Sequence, residues 1–93
     1  MRILNIDNNQ IGPDGAKKLS VQLKTNYGLS KLYCDSNKMN EEGAAAIAES
    51  MSMMDSLKKI CMENNNIKDK GVIALSRTLE ENDTLLSLYL ENN

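Results

Sequence analysis

The chain has no histidine, no tryptophan and no phenylalanine, and among its 93 residues it carries one proline, two cysteines and three tyrosines. Without histidine, Ser–His and Cys–His nucleophile pairs are excluded, and no zinc-ligand spacing exists. No GxxxxGK[ST] loop is present to cradle a phosphate, so a nucleotide cofactor is not expected. The longest uncharged stretches fall well short of the roughly 20 residues a spanning helix needs, and MRILNID lacks the apolar core of a signal peptide, so no membrane partner is expected. Thirteen acidic against eleven basic residues leave a net charge of −2. That balance lacks the basic excess of a nucleic-acid surface. The absences together point away from an enzyme and away from any cofactor or metal. The triplet Asn82-Asp83-Thr84 fits the glycosylation pattern, but such triplets are common by chance and this one carries little weight.

What the chain has instead is a period. Asparagine recurs at Asn9, Asn37, Asn65 and Asn93, each time 28 residues on and each time closing the same apolar phrase. Fixed periods of about 20–50 residues mark solenoids, whose single units cannot bury their apolar face alone and stack on their neighbours. Residues 1–93 then form one domain of three full repeats, 1–28, 29–56 and 57–84, and a partial fourth, 85–93. That partial fourth makes the chain read as a piece of a longer repeat protein.

Within a repeat the apolar residues fall in columns at positions one (Met1, Leu29, Leu57, Leu85), four (Leu4, Leu32, Ile60, Leu88) and six (Ile6, Cys34, Met62, Leu90). Positions four and six alternate with more polar residues, the period-2 signature of a short strand with one buried face. After Ile11, Met39 and Ile67 the period changes. Gly15, Gly43 and Gly71 are followed by Ala16, Ala44 and Val72, by Leu19, Ile47 and Leu75, and by Leu23, Met51 and Leu79. Spacings of three and four predict a helix with one apolar stripe. Pro13, Asn40 with Glu41 and Glu42, and Asp69 suit helix starts, while Asn26 and Asn82 suit left-handed caps at helix ends. The glycines are expected either to let the first helical turn pack closely or to supply a backbone angle barred to other residues. Methionines cluster in the middle of the chain, three of them (Met39, Met51, Met62) at core columns, where they fill gaps adaptably.

Strand, turn, helix and return loop, stacked in register, give a parallel sheet on one side and helices on the other, joined by right-handed crossovers. Strands stack about 4.8 Å apart and helices need about 8–10 Å, so the α/β stack curves with its strands inside.

The phrases LSKLYCDSNKM, LKKICMENNNI and LLSLYLENN match the pattern LxxLxLxxN of leucine-rich repeats. The continuation NKMNEEGAAAIAESM resembles the NxIxxxGaxxLaxxL segment of the ribonuclease-inhibitor-like subfamily, seen also in NOD-like receptors and Ran GTPase-activating proteins. The resemblance implies an α/β leucine-rich repeat solenoid, a right-handed horseshoe arc with a parallel sheet on its concave face and helices on its convex face. It also implies a scaffold that binds proteins through the concave face and its loops. The large amino-terminal domains of some relatives are absent, and no end carries a capping sequence, so no relative's activity is carried over.

Packing does not dictate the strand positions that point away from the core. Position three reads Ile3, Lys31, Lys59, Ser87; position five reads Asn5, Tyr33, Cys61, Tyr89; position seven reads Asp7, Asp35, Glu63, Glu91. Four stacked carboxylates repel one another unless a cation or basic partner answers them. Tyrosine is enriched among residues that dominate interfaces. The expected binding face is therefore Lys31, Tyr33, Asp35, Lys59, Cys61, Glu63, Tyr89, Glu91 and Asp7, with a protein of basic surface as partner. A solvated stripe copied from repeat to repeat is the plain alternative for the acids. The asparagines at Asn9, Asn37, Asn65 and Asn93 are expected to be structural, pairing backbone groups where each strand turns. Cys34 and Cys61 fall on opposite strand faces, so free thiols and a reducing, cytoplasmic setting are expected; Cys61, on the open face, has the room to be exposed and reactive and Cys34 is a core thiol, but for both the expected role is packing or neutral filler rather than nucleophile. Leu4, Ile6, Leu88 and Leu90 would each have a bare side at the solenoid ends, which makes self-association, including a homo-oligomer through those ends, the second functional reading. A GTPase-activator-like regulator is third, for want of a catalytic cluster.

Overall fold

Where the apolar period is two the chain forms strands, and where it is three to four it forms helices. The computed structural model describes residues 2–25, 28–81, 85 and 87–93. The elements are β1 (Arg2–Asn5), α1 (Gly12–Leu23), β2 (Leu29–Tyr33), α2 (Asn40–Met51), β3 (Lys59–Cys61), α3 (Lys68–Glu81) and β4 (Ser87–Tyr89). Met1 in the first column, the helix caps Asn26 and Asn82, and the triplet Asn82-Asp83-Thr84 lie outside the described residues.

The four strands form one parallel sheet in the order β1-β2-β3-β4. Register follows the period: Ile3, Lys31, Lys59 and Ser87 are neighbours across it, as are Asn5, Tyr33, Cys61 and Tyr89. One irregularity occurs at the first edge, where Arg2 pairs with Leu29. Pairing continues past the strands. The N–H of Ile6 donates to Tyr33 O at 2.8 Å, that of Asn8 to Asp35 O at 2.9 Å and that of Gly12 to Asn37 O at 2.8 Å, and the same three bonds recur one and two repeats on. Helices cover the opposite side of the sheet. The arc is short, with extents of 26 × 25 × 21 Å.

The asparagines hold the turn. Each asparagine side chain works between two repeats: Oδ1 of Asn37, Asn65 and Asn93 accepts from the N–H of Asn9, Asn37 and Asn65 at 2.9, 2.8 and 2.8 Å. On the other side of the amide, Nδ2 of Asn65 donates to Cys34 O at 2.9 Å and to Glu63 O at 3.1 Å, and Asn37 and Asn93 make the equivalent bonds. Asn37 and Asn65 are 0% exposed. Around them the backbone takes left-handed angles at positions eight, ten and twelve of the first three turns and at position eight of the fourth, with φ from 51° at Gln10 to 72° at Gly12. Asparagine and glycine accept that conformation most cheaply, and Asn8, Asn40, Asn64, Asn66 and Asn92 occupy several of these positions.

Helix starts differ from expectation in their chemistry. Neither α1 nor α2 has a side-chain cap. Instead, the first N–H of each helix donates to the asparagine carbonyl of the next repeat, as Asn40 N does to Asn65 O at 2.9 Å. Pro13, Glu41, Glu42 and Asp69 do lie in the first turns. The glycine column is explained by packing alone. A Cβ on Gly43 would meet Met39 Cβ at 2.9 Å and Ala16 Cβ at 3.0 Å, and one on Gly71 would run into Ile67 Cγ2 and meet Ala44 Cβ at 3.2 Å. Successive helices thus approach through alanine against glycine.

The core is the set of columns read from sequence, with Leu32, Ile60, Cys34, Met62, Met39, Ile67, Ile47 and Leu75 all fully buried. Two members depart. Val72 and Leu79 are 38% and 39% exposed, whereas Ala16 and Ala44, Leu23 and Met51 in the same columns are buried. The helix of the following repeat covers those earlier positions, and among the described residues no helix follows α3. Leu4, Ile6, Leu88 and Leu90 are half-buried, packed against the core.

Asn65→Ala removes an acceptor and two donors from a buried turn, leaving the N–H of Asn37 and the carbonyl of Cys34 unpaired. An unmet buried group costs about 1–3 kcal/mol, so chemical denaturation is expected to show a loss of about 2 kcal/mol or more. A midpoint equal to wild type would refute the ladder's role.

Candidate functional site

Positions three, five and seven of each repeat stand on the open side of the sheet, and register brings them into three adjacent columns. In the middle column Tyr33 and Tyr89 flank Cys61, one strand on each side. Lys59, two residues before Cys61, reaches over the same face. Its Nζ lies 5.3 Å from the centre of the Tyr33 ring and 5.2 Å from that of Tyr89. Both contacts are within the range of cation–π attraction. The electrostatic influence of Tyr33, the largest of several and partly offset by burial, holds the ammonium above the ordinary lysine range. Lys31 pairs with Lys59 across the sheet and is half-buried.

Cys61 is placed in this column but not as an exposed nucleophile. It is 8% exposed, between two tyrosines and under the lysine. Burial first, and the nearby Asp35 second, push its thiol up. A thiol so held is mostly un-ionised at neutral pH and therefore a poor nucleophile. Cys34 is a core thiol whose Sγ donates to Cys61 O at 3.2 Å, and burial raises it further. Both cysteines are free.

The acid column divides in two. Asp7 and Asp35 have backbone partners: Asp7 Oδ1 accepts from the Asp35 N–H at 2.7 Å, and Asp35 Oδ1 from the Glu63 N–H at 2.8 Å. They form a second ladder beside the asparagines, running in the opposite direction. Glu63 and Glu91 are one methylene longer, and among the described residues their carboxylates have no hydrogen bond or ion pair. The one ion pair among those residues is elsewhere, Lys24 to Glu49 at 3.7 Å on the helix side. Partial burial first, and then the charges of Glu91, Asp35 and Asp7, raise the Glu63 carboxyl. Sequence reasoning read the four acids as equivalent. The signal that separates them was present, since the two that reach a backbone amide are aspartates.

No three thiol or carboxylate groups among the described residues converge to hold a metal ion. None of the described helices is long and apolar enough to cross a membrane. A cavity of about 480 Å³ opens on the helix side, where Lys17 and Lys70 stand among Glu41, Glu42 and Glu49. Both signs of charge meet there.

The fold and the open sheet face define a parallel strand–helix solenoid built for surface contact. A family model described as leucine rich repeat matches residues 1–20 and 56–76. One solved structure, described as leiomodin-1 actin-binding site 2, matches with a TM-score of 0.88 at 24% identity, covering 97% of this chain and 53% of that one. The chain thus spans about half the length of that structure's chain. No curated protein matches. Both matches agree with the 28-residue period and the asparagine turns: the fold is of the leucine-rich repeat type.

Two outcomes follow for the acids. Asp35→Asn keeps the Oδ1 acceptor and should retain wild-type stability, whereas Asp35→Ala strands the Glu63 N–H and should lose about 1–2 kcal/mol in urea denaturation; equal losses would remove the second ladder. For Glu63, the folded-state carboxyl titrates above its ordinary 4.5, so the folded state holds more protons than the unfolded one just above that pH and stability falls as pH rises through the window. Glu63→Gln should therefore melt higher than wild type at pH 7, and the gain should vanish below pH 4.5. A gain that persisted in acid would exclude charge as its cause.

Proposed function

We propose that the chain is a protein-binding scaffold whose concave sheet face receives a partner with a basic surface. The observation that carries this is the unanswered charge of Glu63 and Glu91 beside Tyr33 and Tyr89, on a face that the fold leaves open. Like charges one strand apart destabilise a sheet, and a basic partner would relieve that cost. Tyrosine adds large contact area with few rotamers to freeze. The contact surface on this reading is Asp7, Lys31, Tyr33, Asp35, Lys59, Glu63, Tyr89 and Glu91, with Cys61 beneath it as packing. The 28-residue period and the glycine-alanine helix start support the ribonuclease-inhibitor-like subfamily within the leucine-rich repeats. Because the matched solved structure is an actin-binding site, actin belongs among the proteins to be tested, alongside basic ones.

A second reading, self-association, is favoured by the exposed Val72 and Leu79 on α3.

The ladder dictates which acids to change. Reversing Asp7 or Asp35 would disturb the fold, but Glu63→Lys with Glu91→Lys leaves the described hydrogen bonds in place. On the scaffold reading, this double variant melts no lower than wild type and loses about tenfold or more in affinity for a Lys/Arg-rich peptide, measured by calorimetry at low salt, with binding by wild type weakening as salt rises. Unchanged affinity would overturn it. A concentration-dependent mass in sedimentation that Val72→Ser and Leu79→Ser abolish would favour self-association instead.

A further inference from the structure

The inner face already holds a cation, and the cation is its own. Tyr33 and Tyr89 leave the sheet on β2 and β4, each one strand from Cys61 on β3, which separates them by about 9.6 Å at the backbone. A large side chain in the middle column would fill that gap. Cysteine does not, and the result is a slot with two phenol rings as walls and a thiol as floor. Lys59 enters it from two residues upstream, with its ammonium at nearly equal distances from both rings, 5.3 and 5.2 Å. Two residues downstream of Cys61 stand Glu63 and, beside it, Glu91. Aromatic faces and unpaired carboxylates together are surroundings that favour a cation.

Lys59 fills the slot without using all of it. Glu63 is four residues further along the chain, in the turn after β3, and the Lys59 ammonium is held at the tyrosines without an ion pair to it. A guanidinium entering from outside has no such tether. It is planar, stacks on an aromatic face, and can turn its N–H fork towards a carboxylate at the same time. Resting on the basic-partner reading above, we infer that the Tyr33–Cys61–Tyr89 slot receives an arginine side chain of the partner, and that Lys59 is a built-in plug which the arginine displaces. The consequence is contrary to that of an ordinary contact residue: removing Lys59 strengthens binding.

Loss of one positive charge would also strengthen binding of a basic peptide, and Lys31 supplies the control. It lies at the same repeat position one strand away. Serine is the residue that β4 carries at that position, so Lys59→Ser and Lys31→Ser are both compatible with the fold. The probe is the peptide Gly-Arg-Gly-Arg-Gly, with its lysine analogue for comparison. Lys59→Ser should bind the arginine peptide about fivefold or more tighter than Lys31→Ser does, and the difference should shrink for the lysine analogue. Adding Tyr33→Ala or Tyr89→Ala to Lys59→Ser should remove it. In wild type, the Lys59 ε-methylene protons, shifted by the two rings, should move towards free-lysine values as the peptide is added. Equal gains in the two serine variants would overturn the plug and slot. If binding still depended on Glu63 and Glu91, the basic-partner reading would survive that result; if no variant bound either peptide, both would fall.

Discussion

A backbone that leaves a strand for a tight turn must find partners for N–H and C=O groups that the sheet no longer serves, or lose about 1–3 kcal/mol for each one buried unpaired. In this chain the buried amides of Asn37 and Asn65 meet that requirement, and they do so between repeats. The bond from one asparagine's N–H to the next asparagine's Oδ1 ties each residue to its equivalent in the neighbouring repeat. A slip of register would break every such bond at once. The columns on the inner face, and with them the position of every candidate contact residue, depend on this constraint.

The same turn feeds the helices. Its left-handed residues bring the first N–H of α1, α2 and α3 to the asparagine carbonyl of the next repeat, so no side-chain cap is required. Helix packing then depends on the absence of side chains where Gly43 meets Ala16 and Gly71 meets Ala44. Strand spacing is set by hydrogen bonds and helix spacing by side-chain bulk, and the larger of the two lies outside. That difference curves the stack and makes the sheet face concave. The candidate contact residues therefore stand on hydrogen-bonded strands, or in the turns that end them, held from behind by a close-packed core, where little motion would have to be frozen on association.

On the inner face a structural need and the proposed contact role share one column. Asp7 and Asp35 serve the backbone, and Glu63 and Glu91, one methylene longer, remain available to a partner. Cys61 belongs to the face by register but works by being small: it is covered, its thiol is raised by burial, and its lack of bulk leaves room for Lys59 between the tyrosines.

Period and alternation alone determined the repeat length, the order of strands and helices, the core columns and the residues that share the inner face, because each of these follows from spacing along the chain. Asparagine at every ninth position of the repeat was legible as a turn residue for the same reason. Only the tertiary structure decided which acids bind backbone, where Lys59 points, that Cys61 is buried, and that Val72 and Leu79 are open. Those outcomes depend on the reach of a side chain across to the neighbouring strand, or on whether a neighbouring helix is there to cover it. Such distances run perpendicular to the chain, and linear spacing does not encode them.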